Sequence, residues 1–470
     1  MKKNKIENLL HSKGYVSIET LIVVGLIIAT GAFLTSKLVW KGKDVANSNN
    51  KNMTIAGKTM DDNSFNNSTP ADSSSQVQEV KHSVENPSDL SDFDYAIIDD
   101  NYINDELKKI DEEINNRPSD IPAPPPEVND MKALILKLKE FKGGIIITGY
   151  HGNKTDIEIP SYIDGKEVTV IASMAFAPKI PESSEDDMGE PPEGKLKSVK
   201  LPNTLKYIGE DAFAFNQLTE ITIPDSVTEI GRGAFERNTL KSIKLSSNLI
   251  KIEPCVFFHN KLKSVIIPDS VVEVGVSAFN NNNLTSIKLS GNLIKIEPCA
   301  FSDNKLELVT IPDSVTEIGF SAFSRNNLTS IKLSDNLIKI EPCAFSYNKL
   351  KSVIIPDSVV EVGGSAFQNN NLTSIKWGRN LNKIGRNAFS GNKLESVTIP
   401  DSVTEIDELA FSRNNLTSIK LGSNLKRIGD FAFSGNKLES VIVPNSVTYL
   451  GCDVFKDNPL KSKVIPKTCK

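Results

Sequence analysis

The sequence predicts a β-rich solenoid of about 12–13 repeats of 22 residues, preceded by a transmembrane helix and a disordered linker. Three observations predict it. Phenylalanine stands at 213, 235, 257, 279, 301, 323, 345, 367, 389, 411, 433 and 455, always 22 apart, with Asn three residues later and Leu five residues later each time. Each unit offers only seven apolar positions, too few to close a core alone, so neighbouring units must share one by stacking. Ahead of the repeats lie a 21-residue apolar span, 16–36, and a long polar stretch.

Composition narrows the function. The 470 residues are 39% hydrophobic, near the globular norm, and Lys+Arg 54 against Asp+Glu 59 gives a net charge of −5. That balance gives no reason to expect nucleic acid as a partner. Four His and five Cys supply almost no material for a soft-metal centre, so no metal and no cofactor are expected. The charge is segregated: +5 over 1–43, −16 over 44–195 and +6 over 196–470, which assigns separate physical jobs to head, neck and body.

In the head, Val16 to Ser36 as a helix would be about 31 Å long, the thickness of a bilayer's hydrocarbon core. Lys2, Lys3, Lys5 and Lys13 precede it and Lys37, Lys41 and Lys43 follow, so it reads as an anchor at 15–40 rather than a cleaved signal. A carboxylate inside such a span, Glu19, is a functional feature by default. It sits five residues after Gly14, in Lys13-Gly14-Tyr15-Val16-Ser17-Ile18-Glu19, and this junction resembles the leader of type IV pilins and pseudopilins, with Tyr15 where Phe is usual. The resemblance covers about 25 residues. It implies a basic leader, 1–14, cut after Gly14 by a prepilin peptidase, and a Glu19 that pairs with a neighbouring pilin-like subunit's new amino terminus. A plain anchor with a wet Glu19 is the alternative.

The neck, 41–130, is acidic and rich in Asn, Ser and Pro, and cannot bury enough apolar surface to offset chain entropy. A short amphipathic helix at 104–115 is the exception, with Leu107, Ile110 and Ile114 on one side. Residues 131–195 read as an N-terminal capping repeat. Phe176 to Phe213 is one repeat plus 15 residues, an insertion within 177–195 that holds six acids and should bulge as a loop. The body is 196–470.

One unit, Leu218 to Thr239, reads LTEITIPDSVTEIGRGAFERNT. Leu218, Ile221 and Ile223 alternate as a short strand that Pro224 ends. Asp225 and Ser226 make the turn, Val227 and Ile230 return to the core, and Ala234-Phe235 plug the layer. The phase-locked amides, Asn216, Asn238, Asn260, Asn282, Asn304, Asn326, Asn348, Asn370, Asn392, Asn414, Asn436 and Asn458, have no apolar role; they read as a structural ladder satisfying turn backbone groups.

The pattern Leu-x-x-Ile-x-Ile-Pro-Asp-Ser-Val-x-x-Ile-Gly-x-x-Ala-Phe resembles the leucine-rich repeats of the bacterial surface-protein (BspA) type, over about 143–470. The entry segment around Ile147–Tyr150 and Ile159–Gly165 resembles that family's first turn. The resemblance implies a leucine-rich repeat solenoid, a surface location and adhesion to an extracellular macromolecule. Asn stands where many relatives have Cys, and no LPxTG-like sorting motif appears near the C-terminus.

A finer period marks the candidate ligand face. The residue between the strand's two apolar positions is Lys200, Lys244, Lys288, Lys332, Lys376 and Lys420 on alternate repeats, which places lysines about 9.6 Å apart in a column on the concave sheet. Such a column fits an anionic polysaccharide or other polymer, or an acidic extracellular protein; a merely solvated strand face is the other reading. Cys255, Cys299 and Cys343, two rungs apart and beyond disulfide reach, read as small buried hydrophobes. Cys452 and Cys469 either bridge to pin the C-terminal end or stay free. Adjacent Asp407 and Glu408 are the nearest thing to a hydrolytic pair, but acids on one turn are normally solvated, and no catalytic constellation appears. The expectation is therefore no enzyme: a single-pass protein of a bacterial cell membrane, with its repeats outside as a binding or adhesion module. A minor pilin-like or pseudopilin-like subunit, assembled through the N-terminal helix, is the alternative.

Overall fold

In the computed structural model of the chain, residues 89–115, 127–178 and 194–464 are described. The leader, the anchor, Gly14, Tyr15, Glu19, the linker before 89 and most of the insertion 177–195 lie outside the described residues. Among the described residues, no helix is long and apolar enough to cross a membrane.

The body is a parallel β-solenoid of about 14 turns of roughly 22 residues, slightly more than the Phe count implied. Each turn contributes two short strands; equivalent strands pair in parallel and in register, two turns at a time among the three-residue strands and over longer runs among the two-residue strands. The three-residue strands form ladder A: Ser264, Val265 and Ile266 lie opposite Ser286, Ile287 and Lys288. The two-residue strands form ladder B, where Lys251 and Ile252 lie opposite Glu273 and Val274. In-register stacking follows from the sequence, because a slip of one residue would turn every buried position outward.

The core is one continuous spine. The rings from Phe213 to Phe433 are fully buried, and consecutive rings stack face to face, 5.4 Å apart between Phe279 and Phe301 and again between Phe301 and Phe323. Two left-handed residues flank each ring. Cys299 (φ 57°) and Asp303 (φ 54°) bracket Phe301, so the chain turns sharply on both sides of the plug. Gly231 follows Ile230 because a Cβ there would come within 2.6 Å of the preceding rung's backbone at Glu210.

The neck expectation needs correction. Part of the linker read as disordered is ordered: after a 3-10 turn at Leu90–Asp92, strand β1 (Phe93–Ile97) runs antiparallel to β2 (Ile145–Tyr150), and helix α1 (Asp100–Asn115) is longer than the 104–115 expected. Strand β2 pairs in parallel with Lys166–Ile171, which begins ladder B. Strand β1 therefore closes one end of that ladder with an antiparallel edge. Helix α2 (Glu127–Lys137) follows, and Ile98, Ile103, Leu138, Ile146, Val170 and Tyr207 form a second, smaller core beneath the helices. The cap thus starts near 89 rather than 131. Polar composition hid it because its apolar residues are sparse and meet only through pairing across about fifty residues of sequence.

Candidate ligand face

The amides come first, since they fix the rungs that carry everything else. Each Asn Oδ1 accepts the backbone N–H of the Leu twenty residues earlier, at 2.9–3.2 Å. Each Nδ2 donates to the carbonyl of the preceding rung's Phe, at 2.8–3.0 Å. Asn216 to Asn436 are buried, so these bonds satisfy backbone groups that water cannot reach. A second, exposed row acts in the turns after ladder A: Asp225 accepts from the Ser247 N–H at 2.8 Å, and Asp401 from the Ser423 N–H at 2.7 Å. Those backbone and hydroxyl donors hold both carboxyls below their usual range.

Ladder A turns the middle residue of each strand inward, buried in strands such as Ser264–Ile266 and half-buried in the Ser-Ile-Lys strands, and exposes the other two; only the last strand, Ser462–Val464, is exposed throughout. Lys200, Lys244, Lys288, Lys332, Lys376 and Lys420 all stand in the exposed third position, in one column. Thr222, Thr310 and Thr398, and the exposed Ile266, Ile354 and Ile442, occupy the rungs between. Lys200 reaches Glu158 at 2.6 Å and Lys332 reaches Asp313 at 3.5 Å. Among the described residues the other four form no ion pair within 4 Å. The first position is almost uniformly serine, including Ser242, Ser286, Ser330, Ser374 and Ser418.

Ladder B behaves in the opposite way. Its outward residues alternate in sign from Glu229 to Arg427, and neighbours pair: Lys251 with Glu273 at 3.0 Å, Lys295 with Glu317 at 3.4 Å, Arg427 with Glu405 at 3.3 Å. Burial alone would lower the Lys251 ammonium, but Glu253 and Glu273 outweigh it and hold it above its usual value. One ladder is neutralised within the protein; in the other, four of the six column lysines have no ion pair within 4 Å.

A second lysine column escaped the sequence reading. Lys261, Lys305, Lys349, Lys393 and Lys437 immediately precede the buried Leu that opens each ladder A segment, on the rungs where the first column has Thr or Ile. All five are exposed, and among the described residues none forms an ion pair. The signal was there as a second 44-residue period, 17 residues behind the first.

The remaining candidates resolve into structural roles. Asp407 lies 3.4 Å from Lys383 and Glu408 lies 3.2 Å from Arg386, so both acids are engaged in surface ion pairs. Cys255, Cys299 and Cys343 are half-buried, not core residues as expected: they occupy the left-handed turn position beside the Phe column. Burial pushes the Cys255 and Cys299 thiols up to about 11. Cys452 is free and exposed, and Cys469 lies outside the described residues. Among the described residues no group of three or more His, Cys, Asp or Glu could hold a metal ion.

Paired parallel ladders, a shared Phe spine and back-reaching amides define a leucine-rich repeat solenoid. The chain belongs to the BspA-type leucine-rich repeat family: the model of the BspA type leucine rich repeat region, with six copies, matches it over 193–307, 251–373 and 361–470. Solved structures with a similar fold include a leucine rich cell surface protein from Faecalibacterium prausnitzii A2-165, at 24% identity and a TM-score of 0.40, covering 68% of this chain and 90% of that one. A leucine-rich repeat protein from Bacteroides ovatus is similar at 22% identity and a TM-score of 0.48, covering 70% and 86%. The pneumococcal vaccine antigen PcpA is similar at 23% identity and a TM-score of 0.45, covering 69% and 83%. Among curated proteins none matches this chain.

Proposed function

We propose that this protein is a membrane-anchored, surface-displayed and non-catalytic module that binds an extracellular macromolecule through ladder A. The observation that carries the reading is the contrast between the ladders: cations pair with anions all along ladder B, whereas on ladder A only Lys200 and Lys332 of the six column lysines do so. Uncompensated charge of one sign on a rigid sheet raises the local concentration of an oppositely charged partner and steers its approach. The rungs are held by buried backbone bonds, so the face is pre-ordered and little conformational entropy is lost on binding. Asp407 and Glu408 are held in ion pairs and burial keeps the Cys255 and Cys299 thiols protonated, which disfavours each of them as a general base or nucleophile.

The test is a Lys288→Glu, Lys332→Glu, Lys376→Glu variant of the full chain, screened beside the wild type against immobilised glycans and extracellular-matrix proteins. The reading expects binding that weakens with salt and is lost in the variant. Wild-type and variant profiles that coincide at every salt concentration would overturn it. The spacing of Gly14 and Glu19 keeps pilin-like assembly as a second reading; sequencing the mature N-terminus separates the two, since a start at Met1 excludes processing after Gly14.

A further inference from the structure

We propose that the strip between the two lysine columns holds a linear anionic polysaccharide laid along the solenoid axis, across the strands, with Lys261, Lys305, Lys349, Lys393 and Lys437 supplying most of the attraction. This rests on the binding-module reading and names its ligand class.

Geometry selects a chain-like ligand. The two columns are five residues apart on an extended segment, at most roughly 16–18 Å. They are staggered by one rung, so each rung of about 4.8 Å presents one column lysine, first on one side of the strip and then on the other; within the strip Lys263 and Lys351 add cations and Glu307, Glu395 and Glu439 add acids. A ligand that itself repeats gains a contact at every rung, whereas an irregular protein surface matches such a lattice at only a few points. The five lysines from 261 to 437 span eight rungs, about 38 Å.

Electrostatics ranks the columns. Beside the first runs the row of turn carboxylates, and Asp313 already engages Lys332. On the outer side of the second stand Arg237, Arg325 and Arg413 against Asp303 and Asp457, and its five lysines are free of the ion pairs that hold Lys200 and Lys332. Anionic charge is therefore held more strongly at the second column. Between the columns, exposed serines such as Ser264, Ser352 and Ser396 can both donate to and accept from polymer hydroxyls. No aromatic ring stands between the columns to stack a base, which disfavours single-stranded nucleic acid.

The experiment measures binding of the full chain, in neutral detergent, to heparin fragments of graded length, with polyglutamate and polyadenylate as competing probes. One variant converts the five lysines 261, 305, 349, 393 and 437 to Gln; a control carries Lys295→Gln and Lys339→Gln on ladder B. The inference expects heparin affinity to rise with fragment length and level off near about 40 Å. It expects the five-lysine variant to bind at least about tenfold more weakly, with a salt slope shallower by about four, while the control changes less than about twofold. Wild-type heparin binding by the five-lysine variant, length-independent affinity, or tighter binding of polyadenylate overturns it. Salt-sensitive polyglutamate binding without heparin binding overturns the polysaccharide and leaves the binding module standing; binding to no probe and to no matrix protein overturns both. Should the five-lysine variant misfold by circular dichroism, the pair Lys305→Gln, Lys349→Gln gives the same comparison with a proportionately smaller loss.

Discussion

Asn326 accepts the backbone N–H of Leu306 at 2.9 Å, reaching back twenty residues to tie the entrance of one rung to the turn of the next. Its Nδ2 donates to the Phe301 and Phe323 carbonyls at 2.9 and 3.3 Å. With the Ser324 carbonyl, which Nδ2 also reaches at 3.2 Å, one side chain therefore serves four buried backbone groups. Asn326→Ala strands all of them and should lower stability by about 2–4 kcal/mol. Asn458→Ala, at the half-exposed last amide, should lose less than half of that, since water can replace its bonds. Urea titrations followed by far-ultraviolet circular dichroism provide the check; equal losses at the two sites would contradict the account.

Phe301→Ala should cost about 3–5 kcal/mol, because the ring is fully buried and stacked on both faces, so its removal leaves a cavity that fixed rungs cannot collapse. Phe301→Leu should recover more than half of the loss. The measurement is again the urea midpoint, with the transition slope watched for splitting into two steps, as a breach in a linear array would produce.

Glu236 sets a pH dependence. Burial pushes its carboxyl up to about 6, with Asp211 adding to the effect. The folded protein then holds this proton more tightly than the unfolded chain, so stability falls as pH rises from about 4.5 to about 6 and stays lower above that. Glu236→Gln should remove this slope and stabilise the protein at pH 7 by no more than about 1 kcal/mol, after discounting for solvent screening. Melting temperatures of wild type and variant at pH 4, 5, 6 and 7 should converge at the acid end and separate at the neutral end.

The thiols should divide by reactivity. Cys452 is exposed, and an aromatic disulfide reagent at neutral pH should modify it at once. Cys255 and Cys299, held near 11, should react only when urea opens the rungs. Cys452→Ser should remove one rapid equivalent; undiminished rapid labelling would place an open turn elsewhere.

Lys339→Met on ladder B should change stability by less than about 0.5 kcal/mol, because its partners Glu341 and Glu361 lie in exposed pairs at 3.4 and 3.8 Å. Thermal melts at low and high salt test this: a large loss at low salt would assign the alternating ladder a structural weight that exposed pairs lack.

The solenoid was legible in the sequence because its cause is local and repeated. Phe301, Asn304 and Leu306 recur in phase, and a single unit already shows which positions must be buried. The cap was not legible, because nothing in Phe93–Ile97 announces the pairing of Phe93 with Tyr150. The half-burial of Cys299 was missed for a related reason: a thiol looks apolar in a list of residues, while its place is set by a left-handed backbone that periodicity does not reveal. On the ligand face the first lysine column was visible as a 44-residue period. The second was overlooked because Lys261 stands outside the three-residue strand on which attention had fallen.

The alternation along ladder B carries a rule of inheritance. Lys295 meets Glu317 and Glu273 because odd and even turns differ in sign. Excising a single 22-residue turn from 251 to 427 would bring Lys beside Lys or Glu beside Glu at the junction, whereas removing or copying 44 residues joins opposites again. Gene rearrangements in this region should therefore change the protein's length by even numbers of turns, and natural variants that differ by one should show a compensating change of charge at the seam.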